Sequence, residues 1–472
     1  MSAKVEQIYT GCLAHGAYYI ESQGEAAVID PLREVQPYID MAEERGATIK
    51  YIFETHFHAD FVSGHVDLSR KTGAPIIYGP TTMKTGFDAT IAEDNQEFKL
   101  GTSTIRLLHT PGHTPESSCY LLIDEHDKER ALFTGDTLFI GDVGRPDLAQ
   151  KVVAELTQEK LASMMFDSLH NKIMPLPDDV IVYPGHGAGS ACGKNMSSET
   201  SDTLGNQKKT NYALDPKLDR EGFIDELLTG LTPPPGYFPQ NVLMNISGYE
   251  SIDNVVEQAT HPLSVEDFEQ KVADEKVMIL DTRAPADFAK GYIAGSYNIG
   301  LDGSFASWVG VVFRNVEQPL VLVTDPGRET EAAIRLARVG FDHTLGYLEG
   351  GVPAWKDAGK PLESIDTITP EELADLEAPT ILDVRKASEF ESQHIEGAVN
   401  APLDYWWDQT SKLSHDSPQY IHCRSGYRSM VFASIMKAHG FDNVVDVTGG
   451  MKAIEASERF QLTEYVCPTT ML

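Results

Sequence analysis

The sequence predicts a multi-domain α/β protein, and three observations lead to this prediction. The chain has 472 residues, and at about 100–200 residues per domain this length predicts two to four domains. The second half contains an internal repeat, and short apolar strand-like segments alternate with helical segments along the chain. Strands that alternate with helices are typical of α/β domains with mainly parallel sheets.

The repeat divides the second half of the chain into two copies. The string Ile279–Arg283 returns as Ile381–Arg385, and a period of about 100 residues is that of a duplicated domain rather than of a solenoid unit. The predicted domains are residues 1–250, 260–364 and 366–472.

Each copy begins with a helix-start signal and continues with a short apolar strand. Ser264 with Asp267 opens the first copy, and Thr369 with Pro370 and Glu372 opens the second, because such side chains cap the first turn of a helix. The predicted strands are 277–280, 320–323, 380–382 and 420–422, and the predicted helices are 331–339 and 429–439.

The first half shows no such duplication, and its segments favour strands with intervening helices. A Pro-rich loop at 233–237 closes the domain, and residues 247–262 connect it to the repeats. The predicted strands are 17–20, 26–29, 51–53, 105–109, 120–123 and 131–134, with a helix at 35–45.

Composition excludes several classes of partner. Acidic residues outnumber basic ones 71 to 38, giving a formal net charge of −33, whereas nucleic acids and anionic membranes need clustered Lys and Arg. Five cysteines are too few for a disulfide framework in a chain of this length, which favours a reducing compartment. Neither a signal peptide nor a membrane-spanning segment is recognisable, so we expect a soluble, cytoplasmic protein.

Four polar clusters of the first half each follow an apolar strand-like segment. The first is Thr55–Asp60, which contains two histidines and an aspartate, and the others include His113, Asp136 and His186. Imidazole and carboxylate groups at neighbouring strand ends can converge on one cation. The clusters therefore predict a metal site at one edge of a sheet.

This pattern resembles the metallo-β-lactamase superfamily over about residues 5–245, which implies an αββα sandwich. The usual first motif is His-x-His-x-Asp-His, and here Phe61 replaces its last histidine. A phenyl ring cannot bind a metal, so the second of two metal positions loses a ligand. This departure is similar to the persulfide dioxygenases, which look like glyoxalase II but hold a single ferrous iron.

Carried over residue by residue, the resemblance implies one Fe(II) per chain. Its implied ligands are His56, His113 and Asp136. The groups that would orient ligands and water are His58, Asp60 and His186. The residues alone do not choose between His56 and His58, and Asp136 can equally bridge two metals.

Two more residues of the first half are candidates. In the persulfide dioxygenases an arginine at the place of Arg145 helps to bind the thiol carrier of the substrate; a structural salt bridge is the alternative. Cys192 follows His186 in a Gly-rich loop and is a candidate sulfur acceptor or a bystander. This loop lacks the tyrosine of the glutathione-specific members, so glutathione, coenzyme A and other small thiols all remain possible carriers.

The second copy contains the loop His422–Ser429 between a strand and a helix. Backbone N–H groups, the helix dipole and Arg428 favour the thiolate of Cys423. The string resembles the active loop of rhodanese sulfurtransferases over about residues 366–460, which implies a sulfane sulfur on Cys423 with Arg424 and Arg428 as catalytic neighbours.

The first copy has no cysteine in the corresponding loop, 323–330, and carboxylates there would repel a persulfide anion. A spacer, docking or oligomerisation role is expected for this copy. Cys467, after the last domain, is expected to be incidental.

The resemblances together imply an enzyme of sulfide detoxification. It would oxidise a thiol persulfide with O₂ to sulfite and thiol, and Cys423 would pass sulfur to sulfite, making thiosulfate, or the reverse. The alternatives are a glyoxalase II-type thioester hydrolase fused to a rhodanese and a non-catalytic sulfur carrier. Members of the family commonly self-associate, so a homo-oligomer is expected.

Overall fold

The computed structural model describes residues 3–148, 156–194 and 196–466. Cys467 lies outside the described residues. The chain divides into a unit formed by Met1–Ile252 with Ala337–Gly340 and a unit formed by Asp253–Leu336 with Phe341–Leu472.

The first unit is built on a pair of sheets that, in the described residues, have six strands each. The first sheet has the order β1-β2-β3-β4-β5-β6, with β1 Lys4–Thr10, β2 His15–Ser22, β3 Glu25–Ile29, β4 Thr48–Phe53, β5 Ile76–Tyr78 and β6 Thr90–Ile91. The second has the order β12-β11-β10-β9-β8-β7, with β7 Glu97–Leu100, β8 Ser103–His109, β9 Ser118–Ile123, β10 Glu129–Gly135, β11 Ile181–Pro184 and β12 Asp202–Thr203.

The two sheets face each other across an apolar core. Ile29 and Phe53 of the first sheet pack in one cluster with Leu107 and Phe133 of the second. The other face of the second sheet packs on helices. The helices of this unit are α1 Gln36–Arg45, α2 His65–Thr72, α3 Gln158–Ser168, α4 Leu204–Thr210, α5 Arg220–Leu228 and α6 Phe238–Ser247, with a π-helical segment at Leu169–Ile173 and a 3-10 turn at Tyr212–Leu214. Since α1 and α2 contact β4, the predicted αββα sandwich is confirmed.

The second unit contains the two copies, each with one five-stranded sheet in the part of the chain that the structure describes. The first copy has the order β13-β17-β16-β14-β15, with β13 Pro262–Leu263, β14 Met278–Asp281, β15 Tyr297–Asn298, β16 Leu320–Val323 and β17 Thr344–Leu348. The second has the order β18-β22-β21-β19-β20, with β18 Asp366–Ile368, β19 Thr380–Asp383, β20 Val399–Asn400, β21 Gln419–His422 and β22 Val444–Val447. The strand pairs are parallel, as predicted.

Helices flank these sheets, and the predicted caps begin two of them. The Ser264 side chain accepts a hydrogen bond from the Asp267 N–H, and Thr369 and Glu372 form a capping box. The helices are α7 Ile252–Ala259, α8 Val265–Val272, α9 Pro285–Lys290, α10 Phe305–Phe313, α11 Glu329–Arg338, α12 Gly351–Asp357, α13 Pro370–Ala374, α14 Ala387–Ser392, α15 Trp406–Gln409, α16 Tyr427–Ala438 and α17 Gly450–Ser457, with 3-10 turns at Leu403–Tyr405 and Thr410–Lys412. Among the described residues, no helix is long and apolar enough to span a bilayer.

Candidate metal centre and sulfur-binding loop

The strand ends of the sandwich bring the predicted metal ligands together. His56 follows β4, His113 follows β8 and Asp136 follows β10. One ligand atom from each lies within 4.8 Å of the others, and all three residues are buried. The structure therefore brings the three predicted ligands together. The strands that precede them belong to both sheets, β4 to the first and β8 and β10 to the second, so the site lies at an edge of the sandwich rather than of one sheet as predicted. Which metal the site holds stays a prediction.

Hydrogen bonds orient the two imidazoles of this site. Nδ1 of His113 is 2.8 Å from the carbonyl oxygen of Arg145, which leaves its Nε2 facing Asp136 at 3.5 Å from Oδ2. Nδ1 of His56 is 3.0 Å from Oγ1 of Thr55, whose hydroxyl donates to Asp30. Both rings thus offer Nε2, as metal-binding histidines do when a second group fixes the tautomer.

The electrostatics of the site fit a bound divalent cation. Neither carboxylate oxygen of Asp136 has a hydrogen-bond partner among the described residues; burial, together with the charge of Asp60, raises its pKa well above the usual range. Burial and neighbouring histidines lower the pKa of His56 well below its usual value, and burial lowers that of His113 to about 4. Neutral imidazoles beside a buried carboxyl group are a donor set that suits a divalent cation.

The residues predicted to surround the ligands also converge. His58, Asp60 and His186 offer ligand atoms within 4.8 Å of one another. Nε2 of His186 lies 3.4 Å from Oδ2 of Asp60 and 3.6 Å from Oδ1 of Asp136. His186 therefore faces both carboxylates and can orient the one that lies at the metal position.

Phe61 is part of the wall of this site. Its ring is fully buried, with its centroid 4.4 Å from that of His58 and 4.3 Å from that of His15. It fills space where the usual motif has an imidazole, and it offers no donor atom. His15 was not recognised in the sequence, because an isolated histidine carries no local signal.

His58 contacts two further carboxylates that the sequence analysis missed. Its Nε2 lies 3.2 Å from Oδ1 of Asp30 and 3.6 Å from Oε2 of Glu54. These acids directly follow β3 and β4, so the strand-end rule that identified the other clusters applies to them as well. Since all three side chains are buried, the imidazole is held beside the acids rather than in solvent.

Cys192 lies inside the site rather than on its surface. It is 1% exposed, and its Sγ is within 4.8 Å of ligand atoms of Asp136 and His186. Burial, reinforced by the charges of Asp60 and Asp136, raises the pKa of its thiol well above the usual value. The thiol is therefore placed to meet a substrate or a metal, and it stays protonated unless a cation compensates the nearby acids.

Tyr237 reaches the same site from the Pro-rich loop. Its hydroxyl donates a 3.2 Å hydrogen bond to the carbonyl oxygen of Asp60, and the side chain is buried. Nothing in the sequence marks it, because a tyrosine 177 residues away from its partner is brought there only by the fold.

Arg145 is engaged in a structural salt bridge. Nε and Nη2 each donate a 2.6 Å hydrogen bond to Asp147, and the guanidinium also donates to the carbonyl oxygens of Ala191 and Thr232. The structural salt bridge, which the sequence analysis gave as the alternative role of Arg145, is therefore present in the structure. A role of Arg145 in binding the thiol carrier stays a prediction, and it requires the pair with Asp147 to open.

Cys423 lies at the carboxyl end of β21, at the base of the predicted loop. It is 1% exposed, and the N–H of Gly426 donates a 3.2 Å hydrogen bond to its Sγ. Gly426 has φ of 98°, a left-handed conformation that a residue with a Cβ rarely adopts. The glycine thus turns a backbone donor toward the sulfur.

The two arginines of this loop have different partners. Arg428 donates 2.6 and 2.8 Å hydrogen bonds to the two oxygens of Glu389, and its charge still interacts with Cys423. Arg424 donates to Glu455 and is about half exposed. Glu389 therefore moderates the field of Arg428 at the sulfur, and the catalytic role of either arginine stays a prediction.

The corresponding loop of the first copy has a reversed charge. Val323 pairs with Asp281 as His422 pairs with Asp383, so the next residue, Thr324, occupies the place of Cys423. By the same count Glu329 occupies the place of Arg428, and its Oε1 accepts a 3.1 Å hydrogen bond from the Gly327 N–H. This loop lacks the nucleophile and carries a carboxylate where the second copy carries a cation.

Comparison with known proteins supports this architecture. The profile of the "Metallo-beta-lactamase superfamily" matches residues 10–186, and that of the "Rhodanese-like domain" matches residues 264–358 and 369–457. A crystal structure of a metallo-β-lactamase from Staphylococcus aureus subsp. aureus COL is 32% identical, with a TM-score of 0.64 over 74% of this chain and 99% of that chain.

Several curated relatives that match the first unit are named hydroxyacylglutathione hydrolase. The hydroxyacylglutathione hydrolase of Rhizobium etli is 36% identical over 166 residues, which are 34% of this chain and 57% of the relative. Hydroxyacylglutathione hydrolase GloC of Haemophilus influenzae is 30% identical over 199 residues, 38% of this chain and 87% of the relative. The chain spans only 50–57% of the length of the first relatives it matches.

Proposed function

Since the chain belongs to the metallo-β-lactamase superfamily and continues into two rhodanese-like domains, we propose that it is a persulfide dioxygenase with sulfurtransferase activity. The first unit oxidises a thiol persulfide, and Cys423 of the second unit carries sulfane sulfur. The substrate carrier is a small thiol such as glutathione or coenzyme A.

Phe61 is the observation that carries this proposal. It leaves the His56, His113 and Asp136 set intact while removing a donor from the neighbouring position. Two imidazoles and one carboxylate on one side of a metal are the ligand set of non-haem iron oxygenases. A ferrous ion held there would supply open coordination positions and would activate O₂, whereas the net electrons that reduce O₂ would come from the terminal persulfide sulfur.

The proposed oxidation balances as R–S–SH + O₂ + H₂O → R–SH + SO₃²⁻ + 2 H⁺. The S–S bond breaks, the terminal sulfur is oxidised and O₂ is reduced, so no other oxidant is needed. The chain holds the ligands in place through Thr55 and the Arg145 carbonyl. Asp60, beside His186, is suited to accept a released proton, because burial raises its pKa to about 6.

The sulfur-transfer step uses a cysteine persulfide. Cys423–S–S⁻ transfers its outer sulfur to sulfite, which gives thiosulfate and the Cys423 thiolate, and the reverse reaction loads the cysteine. The Gly426 N–H and the start of α16 stabilise the anion. We also propose that Cys192 accepts the terminal sulfur of the thiol persulfide, because its thiol lies beside the proposed metal position. The S–S bond of R–S–SH breaks as Cys192–S–SH forms, and the carrier leaves as R–SH.

A thioester hydrolase is the second candidate. The curated relatives are hydroxyacylglutathione hydrolases, and Asp136, His186 and Cys192 offer donor atoms within 4.8 Å of one another. If the thiol replaces the missing histidine, a second metal can bind, and a metal pair can activate water for hydrolysis. A sulfur carrier without turnover is a further alternative.

Metal content and turnover separate these functions. The full chain is purified anaerobically, its metals are quantified, and O₂ uptake is measured with glutathione persulfide and coenzyme A persulfide. One iron per chain with O₂ uptake and sulfite release supports the proposal. Two metals with hydrolysis of S-lactoylglutathione and no O₂ uptake would establish the hydrolase, and inactivity in both assays would favour the carrier.

A further inference from the structure

The sulfur-binding loop of the second copy is anchored to the first copy through Tyr427. This residue follows Gly426 and begins α16. Its hydroxyl donates a 2.7 Å hydrogen bond to the carbonyl oxygen of Gly300, in the loop after β15 of the first copy. Both copies belong to one compact unit, so this contact is internal to it.

The first copy fits closely around the Tyr427 ring. A Cβ at Gly303 would lie 2.8 Å from Cε2 and 3.1 Å from Cζ of that ring. Carbon atoms in close-packed interiors do not approach to 2.8 Å, so the ring can take this position only because residue 303 has no side chain. The first copy thus provides both an acceptor and a fitted surface for Tyr427.

Further hydrogen bonds fix this support. The N–H of Asn298 donates a 2.9 Å hydrogen bond to Oγ of Ser434 in α16, and both residues are buried. Within the first copy, Nη1 of Arg335 donates to the carbonyl oxygen of Leu301 at 2.6 Å. Strand β15 and the loop after it therefore hold α16 at two places and are themselves held by α11.

The anchored tyrosine is next to the residue that donates to the sulfur. The N–H of Gly426 lies 3.2 Å from Sγ of Cys423, and a glycine with φ of 98° has little conformational restraint of its own. Restraint has to come from neighbours, and a preorganised donor stabilises an anion more than one that must be reoriented. The Tyr427 contact supplies that restraint on one side of the glycine.

We infer that the first copy is the rigid support of the sulfur-binding loop, with Tyr427 as a positioning residue for Cys423. This inference rests on the proposed sulfur transfer at Cys423. It gives a function to a copy that has Thr324 in place of the cysteine and Glu329 in place of the arginine. The first copy can lack the nucleophile because the hydrogen bonds of Tyr427 and Ser434 join α16 of the second copy to β15 and the loop after it, not to the cysteine-free loop at 323–330.

Two variants test the contact from opposite sides. Tyr427→Phe keeps the ring and removes the hydrogen bond, whereas Gly303→Ala disturbs the ring by a change in the first copy alone. Asp325→Asn, in the cysteine-free loop of the same copy, is the matched control. Sulfur transfer from thiosulfate to cyanide is measured with the full chain, and O₂ uptake with glutathione persulfide is measured in parallel.

We expect Tyr427→Phe to lower the sulfur-transfer rate by about five- to tenfold, the factor of one lost hydrogen bond. Gly303→Ala should lower it by a similar factor, because the added Cβ displaces the Tyr427 ring that carries the donor. O₂ uptake and the control variant should keep their wild-type rates. The pH dependence of Cys423 alkylation, read by peptide mass spectrometry, should shift to higher pH in both variants, because a less restrained donor stabilises the thiolate less.

Wild-type transfer rates and an unshifted alkylation profile in Tyr427→Phe would overturn the inference, whatever Gly303→Ala does. If Gly303→Ala unfolds at a lower temperature, the result with Tyr427→Phe decides. If the unsubstituted protein transfers no sulfur, the proposed function fails, and the alkylation profiles of Cys423 still test the positioning by Tyr427.

Discussion

The backbone N–H of Arg145 donates a 2.9 Å hydrogen bond to the carbonyl oxygen of Cys192. The carbonyl oxygen of the same arginine accepts a 2.8 Å hydrogen bond from His113. One residue therefore connects a proposed metal ligand to the loop that carries the thiol. Its guanidinium, paired with Asp147, clamps that loop at Ala191.

Asp147→Asn tests whether Arg145 positions this loop or binds the thiol carrier. The substitution weakens a bidentate charged pair, so we expect sulfur loading of Cys192, measured by mass spectrometry, to fall by about three- to tenfold. The KM for the persulfide should change little. A lower KM would instead show that the freed guanidinium binds the carrier. Asp179→Asn removes the exposed pair with Lys128 and serves as the control.

Phe61→His tests the reason for proposing a single metal. The new imidazole restores the usual motif, so we expect the metal content to rise from one to two per chain and thioester hydrolysis to appear. Phe61→Leu keeps an apolar side chain and should leave the stoichiometry unchanged. Two metals in the unsubstituted protein would contradict the prediction of a single metal. In that case Cys192 would be the donor that replaces the missing histidine.

Asp136→Asn should abolish metal binding yet stabilise the metal-free protein. Burial raises the pKa of this carboxyl well above its usual range, so the fold disfavours the ionised form, and this cost is present at neutral pH and disappears on acidification. Removing the charge should raise the free energy of unfolding by about 1–3 kcal/mol. Thermal unfolding of both apoproteins at pH 7.5 measures this, and an equal or lower stability of the variant would refute it.

Cys423→Ser should separate the two proposed activities. A serine hydroxyl cannot form a persulfide, so we expect thiosulfate formation to fall to background while O₂ uptake with a thiol persulfide stays within about twofold of wild type. Both rates are measured on one preparation, so the rate of O₂ uptake is the control for correct folding of the variant. Thiosulfate production at the wild-type rate would exclude Cys423 as the sulfur carrier.

Much of the fold follows from local patterns. Strand 320–323 is observed as predicted, and the caps at Ser264 and Thr369 form as their side chains predict, because capping depends on residues three positions apart. The observed helix α16 begins two residues before its predicted start. The sequence pattern assigned Tyr427 and Arg428 to the loop. In the structure the chain turns at Gly426, so the helix begins at the next residue.

The sequence by itself determined which groups can carry chemistry. Strand-end histidines and aspartates, the replacement at Phe61 and the loop around Cys423 are all local in the chain. Only the tertiary structure determined which residues lie next to them. It places Asp30 and Glu54 beside His58, Tyr237 beside Asp60, and Tyr427 against the first copy. The physical reason is that the chemical type of a side chain depends on one position of the sequence, whereas its neighbours in space depend on how strands and loops that are distant in the sequence pack together.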